Sequence, residues 1–141
     1  MQWSIITPVS SDKHRPAVIS TDVLHARLDD LFKVVDAKDT ERFLGFLTDE
    51  ASFRFGSAPP VQGTEAIRNA VDGFFSTIAG CSHVLARFIA QDDVVICEGE
   101  VTYSRHNGTE ISLPFANIFE MDGELISAYK IYADAGPLYD E

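Results

Sequence analysis

The sequence predicts an α+β domain in which a curved antiparallel sheet wraps around helices to form a cone with an internal pocket. Three observations lead there. Helical periodicity fills the first half of the chain and alternating strand patterns fill the second, the segregation expected when helices cover one face of a sheet. Asp122-Gly123 and Asn107-Gly108 each lie between alternating apolar runs, a strong local signal for hairpins. One face of the resulting strands mixes Leu, Phe, Ile and Ala with a few polar groups, which is how a small-molecule pocket is built.

Residues 1–20 read as an irregular N-terminal arm, because Ser10-Ser11-Asp12-Lys13 and Pro16 interrupt any pattern. Trp3, Ile5 and Ile6 are apolar enough to dock on a partner subunit; a frayed tail is the alternative. The domain spans 21–141. Thr21 or Asp22 can cap a first helix, along which Leu24, Leu28, Leu31, Phe32 and Val35 recur at helical spacing. Lys38-Asp39 breaks it, and a short second helix runs from Thr40 to Leu47. Ala51–Phe55 alternates like a strand. Pro59 and Pro60 place the next stretch in a loop. Gly63-Thr64-Glu65 opens a third helix, with Thr64 as cap and Glu65 at the positive end of the dipole. Ile67, Val71, Phe74, Phe75 and Ile78 mark its buried side, and Gly80 ends it. Ser82–Ala90 is a strand, followed by a meander of three strands closed by Gly136-Pro137.

Two-residue turns at both hairpins fix a register. Asn117 then faces Ala128 and Phe115 faces Lys130, while Glu98 faces Asn117 and Glu100 faces Phe115. By alternation, Glu98, Glu100, Asn117, Lys130, Tyr132 and Asp134 share the pocket face with Phe115 and Phe119. A half-wet sheet face with ordinary charges is the competing reading. Pro114 cannot donate to a ladder, so a bulge or an edge is expected near it. The opposite face would carry Cys97, Val101, Tyr103, Ile118, Leu125, Tyr129 and Ile131. That is too apolar to leave in water and predicts a homodimer through the outer sheet face.

The chain has 141 residues, 45% of them hydrophobic, with ten Phe, enough for one packed core. A net charge of −11 disfavours nucleic acid and anionic membrane as partners and fits a small hydrophobic ligand. Cys81 and Cys97 lack zinc-like spacing and read as buried thiols in a reducing compartment, so cytoplasm is the default location. No apolar run reaches membrane-spanning length. The histidines are scattered, so no metal site is expected. No Gly-rich phosphate loop or nucleophile elbow occurs, so no cofactor is expected either.

The candidate catalytic groups are Asp134, Tyr132, Glu100 and His83. Asp134 is the leading one; its alternative is a carboxylate capping the turn before Gly136. Tyr132 lines the pocket or is a core Tyr with its hydroxyl at the rim. Glu100 and Lys130 flank Phe115 as a catalytic or a structural ion pair. His83 suits proton transfer near neutral pH, or is a hydrogen-bonded structural His. Asn117, Lys130, Phe115, Phe119, Phe55 and Phe75 are candidate ligand contacts. Phe55, Phe75, Phe115 and Phe119 could instead fill a collapsed cone.

Asp39-x-x-x-Phe43, Gly63-Thr64-Glu65-Ala66-Ile67, Asp122-Gly123-Glu124-Leu125-Ile126 and Tyr132-Ala133-Asp134 together resemble the SnoaL-like branch of the nuclear transport factor 2-like superfamily. The resemblance covers about residues 21–138. It implies the cone fold and sheet-to-sheet dimers, but not one activity. Ketosteroid isomerase is similar in layout, yet its general-base Asp falls near Phe55 and its oxyanion Tyr near Leu31, which disfavours that chemistry. Its second oxyanion acid falls at Asn117. The last-strand Asp of limonene-epoxide hydrolase matches Asp134, while its Arg-x-Asp pair falls at Glu98-x-Glu100 and lacks the Arg. For the His, Asn and Tyr groups of scytalone dehydratase, His83, Asn117 and Tyr132 are nearest. The expectation is cofactor-independent acid–base chemistry on a small hydrophobic metabolite, by an isomerase, cyclase, dehydratase or hydrolase. A non-catalytic ligand-binding or dimerisation module of the same fold is the rival.

Overall fold

A computed structural model describes residues 19–140. Trp3, Ile5 and Ile6 of the arm lie outside the described residues. Helix α1 (Thr21–Asp36) is capped by Ser20, one residue before the expected caps, whose hydroxyl accepts from the Val23 amide at 3.2 Å. Its stripe of Leu24, Leu28, Leu31 and Phe32 is buried. Lys38, at φ 56°, turns the chain through the left-handed region, so α1 ends and Asp39 caps the five-residue α2 (Thr40–Leu44). The Lys38 ammonium donates to the carbonyls of Phe75 and Ile78 at 3.2 and 2.8 Å. The Phe75 carbonyl lies in the last turn of α3 (Thr64–Ser76) and that of Ile78 just beyond its C-cap, where a cation is favoured by the helix dipole. Gly63, not Thr64, is the N-cap residue of α3, at φ 91° and with no side-chain cap.

Six strands form one sheet: β1 (Leu47–Phe55), β2 (Val61–Gln62), β3 (Gly80–Gln91), β4 (Val94–Ser104), β5 (Glu110–Asp122) and β6 (Leu125–Tyr132). Their order is β2-β1-β6-β5-β4-β3. The two-residue β2 pairs with β1 directly after the prolines of the expected loop. All neighbours are antiparallel except β1 and β6. That parallel pairing joins segments with no turn between them, so no local pattern announces it. The sheet is curved and unclosed, and the helices pack against its concave face, which is the expected α+β cone. None of the helices is long and apolar enough to cross a membrane among the described residues.

The register differs from the one expected, and the cause lies in the turns. At the β4–β5 hairpin, Arg105 N–H donates to Thr109 O (2.8 Å) and Gly108 N–H to Arg105 O (3.0 Å). His106-Asn107-Gly108 is therefore a three-residue loop with Gly108 at φ 90°, the bulged alternative to a two-residue turn. Cys97 faces Asn117, and Glu100 faces Pro114. At the β5–β6 hairpin the turn is Gly123-Glu124, with Gly123 at φ 64° in the first central position, the place a type II′ turn reserves for Gly. Ser127 is then an extra residue: Met121 faces Ile126 but Glu120 faces Ala128. Pro114 causes no shift. The β5–β6 ladder ends at Ala116 and Tyr132, so the proline lies beyond its last pair.

Because side chains alternate, a shift by an odd number of residues exchanges faces. The β4–β5 pairing is shifted by one residue, since Asn117 faces Cys97 and not Glu98, and the β5–β6 pairing by three, since it faces Ile131 and not Ala128. Asn117 pairs with Ile131, while Lys130 pairs with Ile118 on the opposite face. Glu98, Glu100, Lys130 and Tyr132 thus project from the outer face, not the pocket face. The same slip corrects the predicted dimer surface. Cys97, Val101, Tyr103 and Tyr129 are buried in the core, and Ile131 packs against it. Of that set only Ile118 and Leu125 project outward.

Candidate functional site

The concave face and the helices enclose a cavity of about 330 Å³, within the range of small-molecule pockets. Aromatic rings dominate its wall. Phe53 and Phe55 come from β1, Phe74 and Phe75 from α3, Phe115 from β5. Phe55 and Phe74 stack with centroids 5.1 Å apart. Ala58, Pro59 and Val61, from the loop after β1 and from β2, complete one side. No Lys, Arg, Asp or Glu lines the wall among the described residues; its polar groups are His83, Asn117, Cys81, Tyr103 and Tyr129.

His83 is the most constrained of these. On β3 it alternates inward with Cys81, opposite Val101 of β4. Its ring lies 5.0 Å from Phe32 and 5.2 Å, edge-on, from Phe115. Nδ1 lies 2.6 Å from Asp36 Oδ1, and the His83 amide donates to Asp36 Oδ2 at 3.0 Å. Asp36 is the last residue of α1, and both carboxylate oxygens are used in fixing one residue. This bidentate hold sets the ring's orientation; in the neutral ring it places the proton on Nδ1 and the lone pair on Nε2, which no described group hydrogen-bonds.

The remaining polar groups are neutral. Burial raises the Tyr103 and Tyr129 phenols, so each offers a hydroxyl and not a phenolate. Burial, with Asp36 nearby, pushes the Cys81 thiol up to about 12. Asn117 is 2% exposed, and its Oδ1 has no hydrogen-bond partner among the described residues; leaving such an atom unpaired costs roughly 1–3 kcal/mol. Asp36, Cys81 and His83 also bring one ligand atom each to within 4.8 Å of one another.

Of the expected site residues, the cavity brings together His83, Asn117, Phe115, Phe55 and Phe75. Phe119 is fully buried behind them, against Tyr129 at 4.6 Å. Asp134 is exposed and accepts from the Gly136 amide at 3.0 Å, the turn-capping alternative. Tyr132, Glu98 and Asp134 border a shallow groove on the outer side. Lys130 pairs with Glu120 at 2.8 Å, not with Glu100. The sequence reading missed Asp36, Tyr103 and Tyr129. Asp36 had a signal: a carboxylate in the last turn of a helix opposes the dipole and so asks for another reason to be there.

Residues 28–129 match the SnoaL-like domain. The chain belongs to that family. No curated protein matches this SnoaL-like chain in sequence. Among solved structures, it is similar to a SnoaL-like polyketide cyclase from Jannaschia sp. CCS1, at 13% identity and TM-score 0.75, over 88% of this chain and 94% of that one. It is also similar to TerC co-crystallized with polyporic acid (15%, 0.71, 82% and 95%). An LEH-like epoxide hydrolase from M. tuberculosis aligns at 14% and 0.69, over 82% and 85%. Identities this low establish the shared fold alone.

Proposed function

We propose that this SnoaL-like domain catalyses cofactor-independent proton transfer on a small, neutral, largely apolar molecule, with His83 as the general base. The carrying observation is the 2.6 Å contact between Asp36, behind the wall, and Nδ1 of His83, which lines an apolar cavity. Asp36 holds the ring and stabilises the imidazolium formed when Nε2 takes a proton. Positioned bases of this kind contribute about a hundredfold or more to rate. The Tyr103 and Tyr129 hydroxyls and the Asn117 amide are available to hydrogen-bond an oxygen on which charge develops. An aromatic wall without fixed charge favours a neutral ring system over a phosphate or carboxylate, since a charged group would be desolvated there without a counter-ion. Structural relatives described as a polyketide cyclase and as co-crystallized with polyporic acid support aromatic, oxygenated compounds as the first panel to screen. In that screen His83→Gln lowers turnover of the active compound by about a hundredfold or more while binding persists. A ligand that binds but turns over equally in His83→Gln would overturn the assignment and favour the binding-module reading.

A further inference from the structure

We propose that Asp36, Cys81 and His83 form a three-ligand site for a divalent ion of the zinc class, with its fourth position open to the cavity. Three independent features converge on it. Cys81 and His83 occupy alternate positions of β3 and so project from the same face. Asp36, from the end of α1, already touches both His83 groups, and the Cys81 thiol donates to the carbonyl of Val35, the residue before it, at 3.6 Å. The sulfur, nitrogen and oxygen atoms lie within 4.8 Å of one another. Metal–ligand lengths of about 2.0–2.3 Å separate such atoms by roughly 3–4 Å around one ion. The Nδ1–Oδ1 pair, at 2.6 Å, opens to admit the ion, and separations toward the 4.8 Å limit close by side-chain rotation.

The donor set suits zinc, which accepts sulfur, nitrogen and oxygen together and keeps one position open when only three protein ligands are present. Charge also balances. A thiolate and a carboxylate together offset a dication, leaving a neutral centre in an apolar wall. The charge of Lys38 acts on the Cys81 thiol, but its ammonium is held by the carbonyls of Phe75 and Ile78.

Binding has a defined proton balance. Cys81 loses its proton to solvent as the metal–sulfur bond forms. His83 exchanges its Nδ1 proton for the metal, and a proton resides on Nε2. A ring metallated at Nδ1 and protonated at Nε2 has no lone pair for the cavity. The ion therefore silences the base assigned above; that consequence rests on the proposed function, whereas the site itself does not.

The test separates the two. Chelator-stripped full-length protein is titrated with Zn²⁺ against a chromophoric chelator and, separately, with Co²⁺ while the near-ultraviolet spectrum is read. The expected result is one Zn²⁺ per chain and a thiolate-to-cobalt charge-transfer band. Cys81→Ser loses the band and weakens Zn²⁺ binding by about a hundredfold or more, since even outer-shell changes cost up to that much. Cys97→Ser, altering a thiol outside the cluster, keeps both. Circular dichroism confirms that each variant is folded. The Co²⁺ spectrum of the unaltered protein needs no variant. Absence of a thiolate band there, or Zn²⁺ binding unchanged in Cys81→Ser, overturns the site whether or not a substrate is known. If stoichiometric Zn²⁺ leaves turnover of an active compound intact although the site fills, His83 is not the base and the metal site stands.

Discussion

The two faces of the sheet carry similar residue types and use them differently. On the concave face, His83 is fixed by a carboxylate at 2.6 Å and packed between Phe32 and Phe115. On the convex face, Lys130 meets Glu120 at 2.8 Å and Arg87 meets Glu98 at 3.3 Å, with all four side chains more than a third exposed. Exposed pairs are screened and worth about 0–1 kcal/mol. In the concave pair the His83 ring is packed by aromatic rings, Asp36 is 27% exposed, and two hydrogen bonds orient the histidine. What distinguishes a candidate reactive group from a surface charge here is the face it occupies, and one bulged residue per hairpin decides that face.

The sharpest way to break the comparison uses chain neighbours on opposite faces. Phe119→Ala empties a fully buried position and should cost about 3–5 kcal/mol, read by urea unfolding. Ile118→Ala, one residue away but half-buried on the convex side, should cost less than half of that. Equal losses would mean that the two faces are not distinct.

The next contrast is chemical. With an active compound in hand, His83→Gln or Asp36→Asn should lower turnover by about a hundredfold or more. Asp134→Asn, on the exposed turn, should leave it within about twofold. Steady-state kinetics on the three variants ranks the cavity against the strand end, and the reverse order would restore Asp134 as the base.

Alkaline stability sharpens the same contrast. Burial pushes the Cys97 thiol from 9.0 up to about 12. Between those values the unfolded chain has lost this proton and the folded chain retains it, so stability falls as pH rises. Thermal unfolding at pH 9 to 12 should show this decline, and Cys97→Ala should flatten part of it. A slope unchanged in the variant would contradict the burial of that thiol.

The smallest effect belongs to the convex face. A double-mutant cycle on Lys130 and Glu120 should return a coupling below about 1 kcal/mol that fades with salt. A larger, salt-insensitive coupling would show that this face is shielded from solvent by something that covers it.

Sequence alone determined most of the elements, because their signals are local. The exceptions are at boundaries: β2 fell within the expected loop, Leu47 begins β1 where the second helix was expected to end, and Gly80 opens β3 where it was expected to end the third helix. Leu24, Leu28, Leu31 and Phe32 recur at helical spacing, Gly123 and Gly108 mark the hairpins, and apolar alternation makes strands of 94–104 and 110–122. The order of these elements was enough to read an α+β cone. The faces were not legible. Turn type depends on which residue beside the Gly completes the loop, and the Ser127 bulge carries no compositional mark, so a parity error moved Glu100, Lys130 and Tyr132 inside and Tyr103 and Tyr129 outside. Asp36 lies 47 residues from His83, and the parallel pairing of β1 with β6 joins distant segments. Only folding brings such residues together, because long-range contacts are set by how the sheet curves around α1 and α3, and not by any pattern within a single strand or helix.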